Sequence, residues 1–302
     1  MFWKRPFVNL TWISLATGLS LSAVSARGHA FEEAADWGAG EVYGAQHPRA
    51  ALRVRAHIGG FVCPMQLDTG ANAAVIWHDW NDRRAGAESA PGPDVNVEFA
   101  GIRKQMATTL AFYRRLSHCD GAEVVGTLGS GFFDQGTLTV DTRAPAVRYQ
   151  AGGALAGNPE AQIMVYLRIG AQGGVPLVQL RGPDAVVRYA LLDTGSAALE
   201  WVVPSEADWL RATGKSALTD VDVQHFEVSA WGRMLPCVVA RAPMSLRIGN
   251  VDIDQPRVTY CAGANNNNSQ GTAGVIGLEP FFGRIVVFDF VSNLWLVGAR
   301  PQ

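Results

Sequence analysis

Two short stretches of this 302-residue chain could do chemistry together: Asp68-Thr69-Gly70 and Asp193-Thr194-Gly195. Two aspartates held about 3 Å apart cannot both ionise, so one keeps its proton at a pH where the other has lost it. Such a pair can take a proton from water with the ionised carboxylate and donate one to a carbonyl oxygen with the other. The pair titrates as a unit, so neither Asp68 nor Asp193 is assigned the base. Glycine after Asp-Thr permits a tight turn and lets backbone N–H groups approach the carboxylates. Ser196 follows the second motif and Ala71 the first. Only Asp193 therefore has a hydroxyl neighbour able to donate to it and favour its ionised form.

The elements that must position these motifs are themselves repeated. Met65-Gln66-Leu67 precedes Asp68, and Ala190-Leu191-Leu192 precedes Asp193. Ahead of the first lie alternating Leu52, Val54, Ala56 and Ile58, then Gly59-Gly60 and Val62. Ahead of the second lie a run from 163 to 169, a break at Gly173-Gly174, Pro183-Asp184 and residues 185–192. Both read as strand, turn, strand, with Asp at the strand's end. A second signature follows each: Thr127-Leu128-Gly129, Phe132-Phe133 and Asp141, then Val275-Ile276-Gly277, Phe281-Phe282 and Asp289. From Gly to Asp the separation is 12 in both. One Asp-Thr-Gly in a chain this long arises by chance roughly one time in twenty. Two in matched context imply a duplicated unit.

At these residues the chain resembles the pepsin and retropepsin clan of aspartic proteases, from about Ala51 to Val297. The resemblance implies an all-β, bilobal fold with a central cleft and few short helices. It implies an aspartic endopeptidase that hydrolyses peptide bonds with water activated by Asp68 and Asp193. Thr69 and Thr194 should bond across the lobe interface, with Gly70, Gly195 and Ser196 supporting the carboxylates. Peptide or protein substrates should lie extended across the cleft, and no cofactor is implied. The first motif pair is spaced as in retropepsins and the second as in a pepsin lobe. Gln66 and Thr127 stand where the clan has apolar residues. Tyr113 is the candidate flap residue, and a hairpin turning near Ala100-Gly101 is the alternative. The rival function is a non-catalytic peptide- or ligand-binding protein of the same fold.

Composition sets bounds around this. The chain is 48% apolar and 17% charged with 33 glycines, which suits β-structure joined by tight turns. A net charge of −2 gives no basic surface for nucleic acid. Lys4 and Arg5, a small-residue apolar stretch from Leu10 to Val24 and Ala26 read as a signal peptide over 1–26. The mature protein is then expected to be exported, periplasmic or secreted, free of the membrane and monomeric. The expected organisation is a lobe over 27–141, a linker over 142–160 rich in Ala, Gly and Pro, and a lobe over 161–302. Four cysteines allow three pairings, and their spacings suit Cys63–Cys119 and Cys237–Cys261, one in each half. No cysteine lies at metal-ligand spacing from a histidine, so no zinc site is expected.

Plainer readings apply elsewhere. Ser205 with Asp208, then Trp209, Leu210 and Gly214, mark a capped helix. Asp141 and Asp289 suit structural turns, and Trp77, Trp201 and Trp295 suit cores. Residues 265–268, four asparagines, read as an exposed loop. The six histidines form no cluster. Ser130 lacks the spacing of a nucleophile elbow, so a serine hydrolase is not expected.

Overall fold

The strand alternation read from 52 to 67 becomes one face of a sheet. In the computed structural model Leu52, Val54 and Ala56 on the strand Ala45–Ile58 are buried, and so are Cys63, Met65 and Leu67 on Phe61–Asp68. The two strands pair antiparallel, as a period of two with one wet face requires. The structure describes residues 30–58, 60–77, 95–106, 108–109, 119, 124–169, 173–230, 233–264 and 271–298. The expected signal peptide, Tyr113 and the asparagine loop lie outside the described residues. Strand makes up 56% of the chain and helix 9%, so the all-β class holds.

In each half the second signature comes to lie beside the first. Gly126–Gly129 runs parallel to Phe61–Asp68, with Asp68 opposite Gly129, and antiparallel to Val75–Trp77. Val275–Ile276 does the same between Val187–Leu192 and Trp201–Val202. The glycine closing each signature has a steric cause. A Cβ on Gly129 would sit 2.2 Å from the Ala73 carbonyl oxygen, and one on Gly277 would sit 2.0 Å from that of Ser196. The inserted strand can therefore press on the Asp loop only if it ends in glycine.

A third, six-stranded antiparallel sheet takes strands from both halves. Its order is Ala30–Val42, Ala146–Ala151, Gly136–Asp141, Ile285–Asp289, Leu294–Gly298 and Gln162–Arg168. At its centre Thr139 faces Val287, Asp141 faces Ile285 and Thr137 faces Asp289. These residues exchange under a shift of 148 positions, the same shift that relates Gly129 to Gly277, so the pairing is two-fold symmetric. The stretch 142–160 is thus not connector throughout, because Ala146–Ala151 is a full strand of this sheet. Phe132, Phe133, Phe281, Phe288 and Trp295 pack beneath it, all buried, and Trp201 is buried as well.

Smaller features follow local rules. The helix Glu206–Thr213 starts at Ser205, whose side chain accepts from the Asp208 N–H, and ends at Gly214 with φ of 69°. Both disulfides form as the spacings suggested, Cys63–Cys119 and Cys237–Cys261. The hairpin Val95–Phe99 and Ile102–Met106 turns at Ala100-Gly101, as expected. Its tip abuts the Phe31 ring on an edge strand of the shared sheet, an anchorage that does not suit a mobile flap.

Asp289 is fully buried at the seam of the halves. Its carboxylate accepts from the backbone N–H groups of Ala154 (2.8 Å), Leu155 (2.8 Å), Val291 (3.1 Å) and Ser292 (2.8 Å). It therefore closes both the connector and the turn after its own strand. Asp289→Ala takes the acceptor from the buried Leu155 N–H and from the partly buried N–H groups of Val291 and Ser292, while Ala154 keeps the Thr137 hydroxyl, and is expected to cost roughly 3 kcal/mol. Urea unfolding measures this, and a loss below about 1 kcal/mol would show that water or a rearranged connector satisfies those donors.

Candidate active site

Asp68 closes the strand Phe61–Asp68, and Asp193 directly follows Val187–Leu192. Both strands end level with the close of the inserted strand that runs parallel beside them, and the chain turns there. The Asp193 N–H donates to the Ile276 carbonyl at 2.8 Å, tying the second loop to its inserted strand. In the first loop the Ser130 N–H donates to the Ala71 carbonyl at 2.9 Å.

The two loops are joined by four reciprocal hydrogen bonds. The Thr69 hydroxyl donates to the Leu192 carbonyl at 2.7 Å and accepts from the Thr194 N–H at 3.1 Å. The Thr194 hydroxyl donates to the Leu67 carbonyl at 2.9 Å and accepts from the Thr69 N–H at 3.0 Å. Both threonines are fully buried. Each hydroxyl thus uses its proton and a lone pair on the opposite chain, a satisfied network in a dry setting.

This grip sets the carboxyl groups of Asp68 and Asp193 beside each other, each against the glycine of the opposite loop. The glycines make room for it. A Cβ on Gly70 would lie 2.5 Å from Asp193 Cγ, and one on Gly195 would lie 2.6 Å from Asp68 Cγ. Asp193 accepts from the Gly195 N–H at 2.7 Å, the Gly70 N–H at 3.2 Å and the Ser196 hydroxyl at 2.7 Å. Asp68 accepts from the Ala71 N–H at 3.0 Å. Burial and the neighbouring Asp193 hold the Asp68 carboxyl well above the usual carboxylate range, against the backbone N–H groups of Ala71 and Gly70. The environment is therefore asymmetric, with the hydroxyl donor on the Asp193 side alone. The arrangement can hold one proton between two oxygens and hydrogen-bond a water molecule and a carbonyl oxygen at once.

Asp68, Thr69, Gly70, Asp193, Thr194, Gly195 and Ser196 all meet here. Two residues with no assigned role also reach the grip. Gln66 Nε2 donates across to the Gly195 carbonyl at 3.0 Å, and the Ser130 hydroxyl donates to the Thr69 carbonyl at 2.6 Å. Their counterparts in the repeat are Leu191 and Leu278, which can do neither. A polar residue standing where the other copy is apolar was the available signal. Asn72 extends the junction by donating to the Ile169 carbonyl at 3.0 Å. A separate cavity of about 280 Å³ is lined by Leu180, Trp201, Val203, Met244 and the Asp184–Arg188 pair, and no Asp-Thr-Gly residue borders it.

No protein-family model matches this chain, and none of the curated proteins matches it.

Two outcomes are expected. Thr69→Val or Thr194→Val leaves a buried carbonyl and a buried N–H unpaired, a loss of roughly 2–5 kcal/mol in urea unfolding. A loss under about 1 kcal/mol would mean the halves meet without the grip. The second concerns pH. Because folding raises the Asp68 pKa, its contribution to stability is present below the ordinary carboxylate value and fades as pH rises through the folded value. Asp68→Asn cannot ionise, so its thermal stability relative to wild type should improve from about pH 3 to about pH 7. A relative stability that is flat or falls would contradict the raised value.

Proposed function

We propose that this chain is an aspartic endopeptidase with a bilobal pepsin-like or retropepsin-like fold. The observation that carries this is the pair of juxtaposed carboxyl groups, each against the opposite loop's glycine and seated on loops locked by the Thr69–Thr194 grip. A structural turn needs only one Asp and has no use for glycines that clear space for the opposite carboxylate. The fold proposal is supported by the two-fold pairing of the shared sheet and by an inserted strand in each half.

In this reading a water lies between the carboxylates and the scissile carbonyl. The ionised partner takes its proton as the oxygen attacks carbon, and the protonated partner donates to the carbonyl oxygen. A tetrahedral diol results. On its collapse one diol hydroxyl gives its proton to the ionised carboxylate as the carbonyl re-forms, the C–N bond breaks and the amine takes a proton from the other carboxyl, so the dyad is singly protonated again. Substrate backbone would be held extended, like an added strand. The two disulfides support an oxidising, exported location. Among the described residues no helix is long and apolar enough to cross a membrane.

The test is cleavage of an unfolded protein substrate by the purified chain from about pH 3 to about pH 7. Asp68→Asn and Asp193→Asn should each lower kcat by about 10³-fold or more while the protein stays folded. Activity surviving either change would overturn the mechanism, and a folded but inactive wild type would favour a binding protein of this fold. A further expectation follows from the Ser196/Ala71 asymmetry. Ala71→Ser supplies a donor to Asp68 and should move the acid limb and the optimum to lower pH. An optimum that rises or stays fixed would count against that role.

A further inference from the structure

The hairpin formed by Ala30–Val42 and Ala45–Ile58 belongs to the first half along its body but not at its tip. The two-residue turn is Tyr43-Gly44, with φ of 55° and 70°. That geometry suits Asn-Gly, and a bulky residue at the first position is strained. Strain of this kind persists where surrounding contacts hold it. Here the contacts come from the second half. The Tyr43 ring is buried against Phe226 at 5.3 Å and lies 4.4 Å from the Arg257 guanidinium. Gln224 Nε2 donates to the Tyr43 carbonyl. Lower on the hairpin, Trp37 meets Phe282 edge-on at 5.4 Å, and Arg49 lies over the same ring at 5.1 Å.

Beneath Tyr43 two carboxylates share one guanidinium. Arg257 Nε bonds Glu200 Oε1 at 2.8 Å, the Arg257 N–H bonds Glu200 Oε2 at 2.6 Å, and Arg257 Nη2 bonds Glu279 Oε1. Glu279 Oε2 is buried and has no hydrogen-bond partner among the described residues. With both glutamates ionised, the cluster sets two negative charges against one guanidinium in a largely buried place, which costs stability. Protonation of Glu279 removes one of the two. We propose that the Tyr43 tip is a latch, docked on the second half while Glu279 is protonated and released as Glu279 loses its proton.

The charged and titratable groups facing the cluster pull in both directions, and burial outweighs the cations. Burial pushes Glu279 up to about 7, with Glu200 adding to the rise and Arg257 and Arg241 opposing it. Burial and Glu279 push the Tyr43 phenol up, so it stays neutral. His47, on the second strand of the hairpin, is held below its ordinary value by burial and by Arg257, and is uncharged where Glu279 titrates. Arg49 remains a cation throughout, and Arg241 is turned toward the Gln255 carbonyl. Release of the Tyr43 ring from Arg257 would open the cluster to water and lower the Glu279 value, so the docked tip is favoured below the ordinary glutamate range and that preference is lost as pH rises through about 7. The docked-to-released ratio should fall by up to roughly a hundredfold across that window. Glu200 follows the Asp193 loop and Glu279 follows Gly277, so the latch is built on the segments that seat Asp193. It does not depend on the proposed reaction.

Hydrogen–deuterium exchange of the full chain at about pH 5 and about pH 8, corrected for intrinsic rates, tests it. Amides from 36 to 49 should lose at least about tenfold of their protection at the higher pH, while the shared sheet keeps its own. Glu279→Gln should keep the hairpin protected at both pH values. Tyr43→Ala should leave it unprotected at both. Equal protection of the wild-type hairpin at the two pH values would overturn the latch. So would a Glu279→Gln or Tyr43→Ala chain that folds and keeps the wild-type pH dependence.

Discussion

Four hydrogen bonds made by the Thr69 and Thr194 hydroxyls, to each other's backbone N–H and to the Leu192 and Leu67 carbonyls, set the relation between the halves of this molecule. Each threonine reaches past its own loop to the strand that carries the other aspartate, so neither loop is complete alone. The carboxyl groups of Asp68 and Asp193 repel once both are ionised, and burial sharpens that repulsion. The grip holds them together regardless, because breaking it would leave four buried backbone groups unpaired. The raised Asp68 value expresses its burial first and the enforced nearness of Asp193 second.

The remaining structure serves to keep the loops where the grip needs them. An inserted strand underlies each loop, admitted by Gly129 and Gly277, and the shared sheet fixes the spacing of the halves through the Thr139–Val287 centre. Asp289 closes the seam with four backbone bonds. Within this two-fold frame the support is uneven. Gln66 and Ser130 reinforce the grip from the first half, while Ser196 donates to Asp193 alone. The second half has instead the Glu200–Arg257–Glu279 cluster behind its loop. An uneven frame is how two identical side chains acquire different environments, the condition for sharing a single proton.

Much of this was legible in the residues. Asp-Thr-Gly twice, each followed by an apolar-then-Gly signature, placed both carboxylates at strand ends and marked a second repeated segment behind each. Alternation gave Leu52, Val54 and Ala56 their buried face, and Ser205 to Gly214 delimited the helix. These are local properties, fixed by period, caps and turn chemistry. The stretch 142–160 was read as connector because Ala, Gly and Pro outweigh its alternation. Its strand Ala146–Ala151 forms because both neighbouring strands offer it hydrogen bonds.

The sequence by itself determined which side chains could form the dyad, which strands precede them and which cysteines could pair. It could not determine who supports whom across the seam. Gln66 looked like a defect in an apolar pattern until the Gly195 carbonyl appeared opposite it. Tyr43 carried no signal in the sequence, and its partner Arg257 lies more than two hundred residues away. Such roles depend on the dielectric and partners that folding supplies, and these come from chain segments whose separation carries no local signal. Tertiary structure alone decided them.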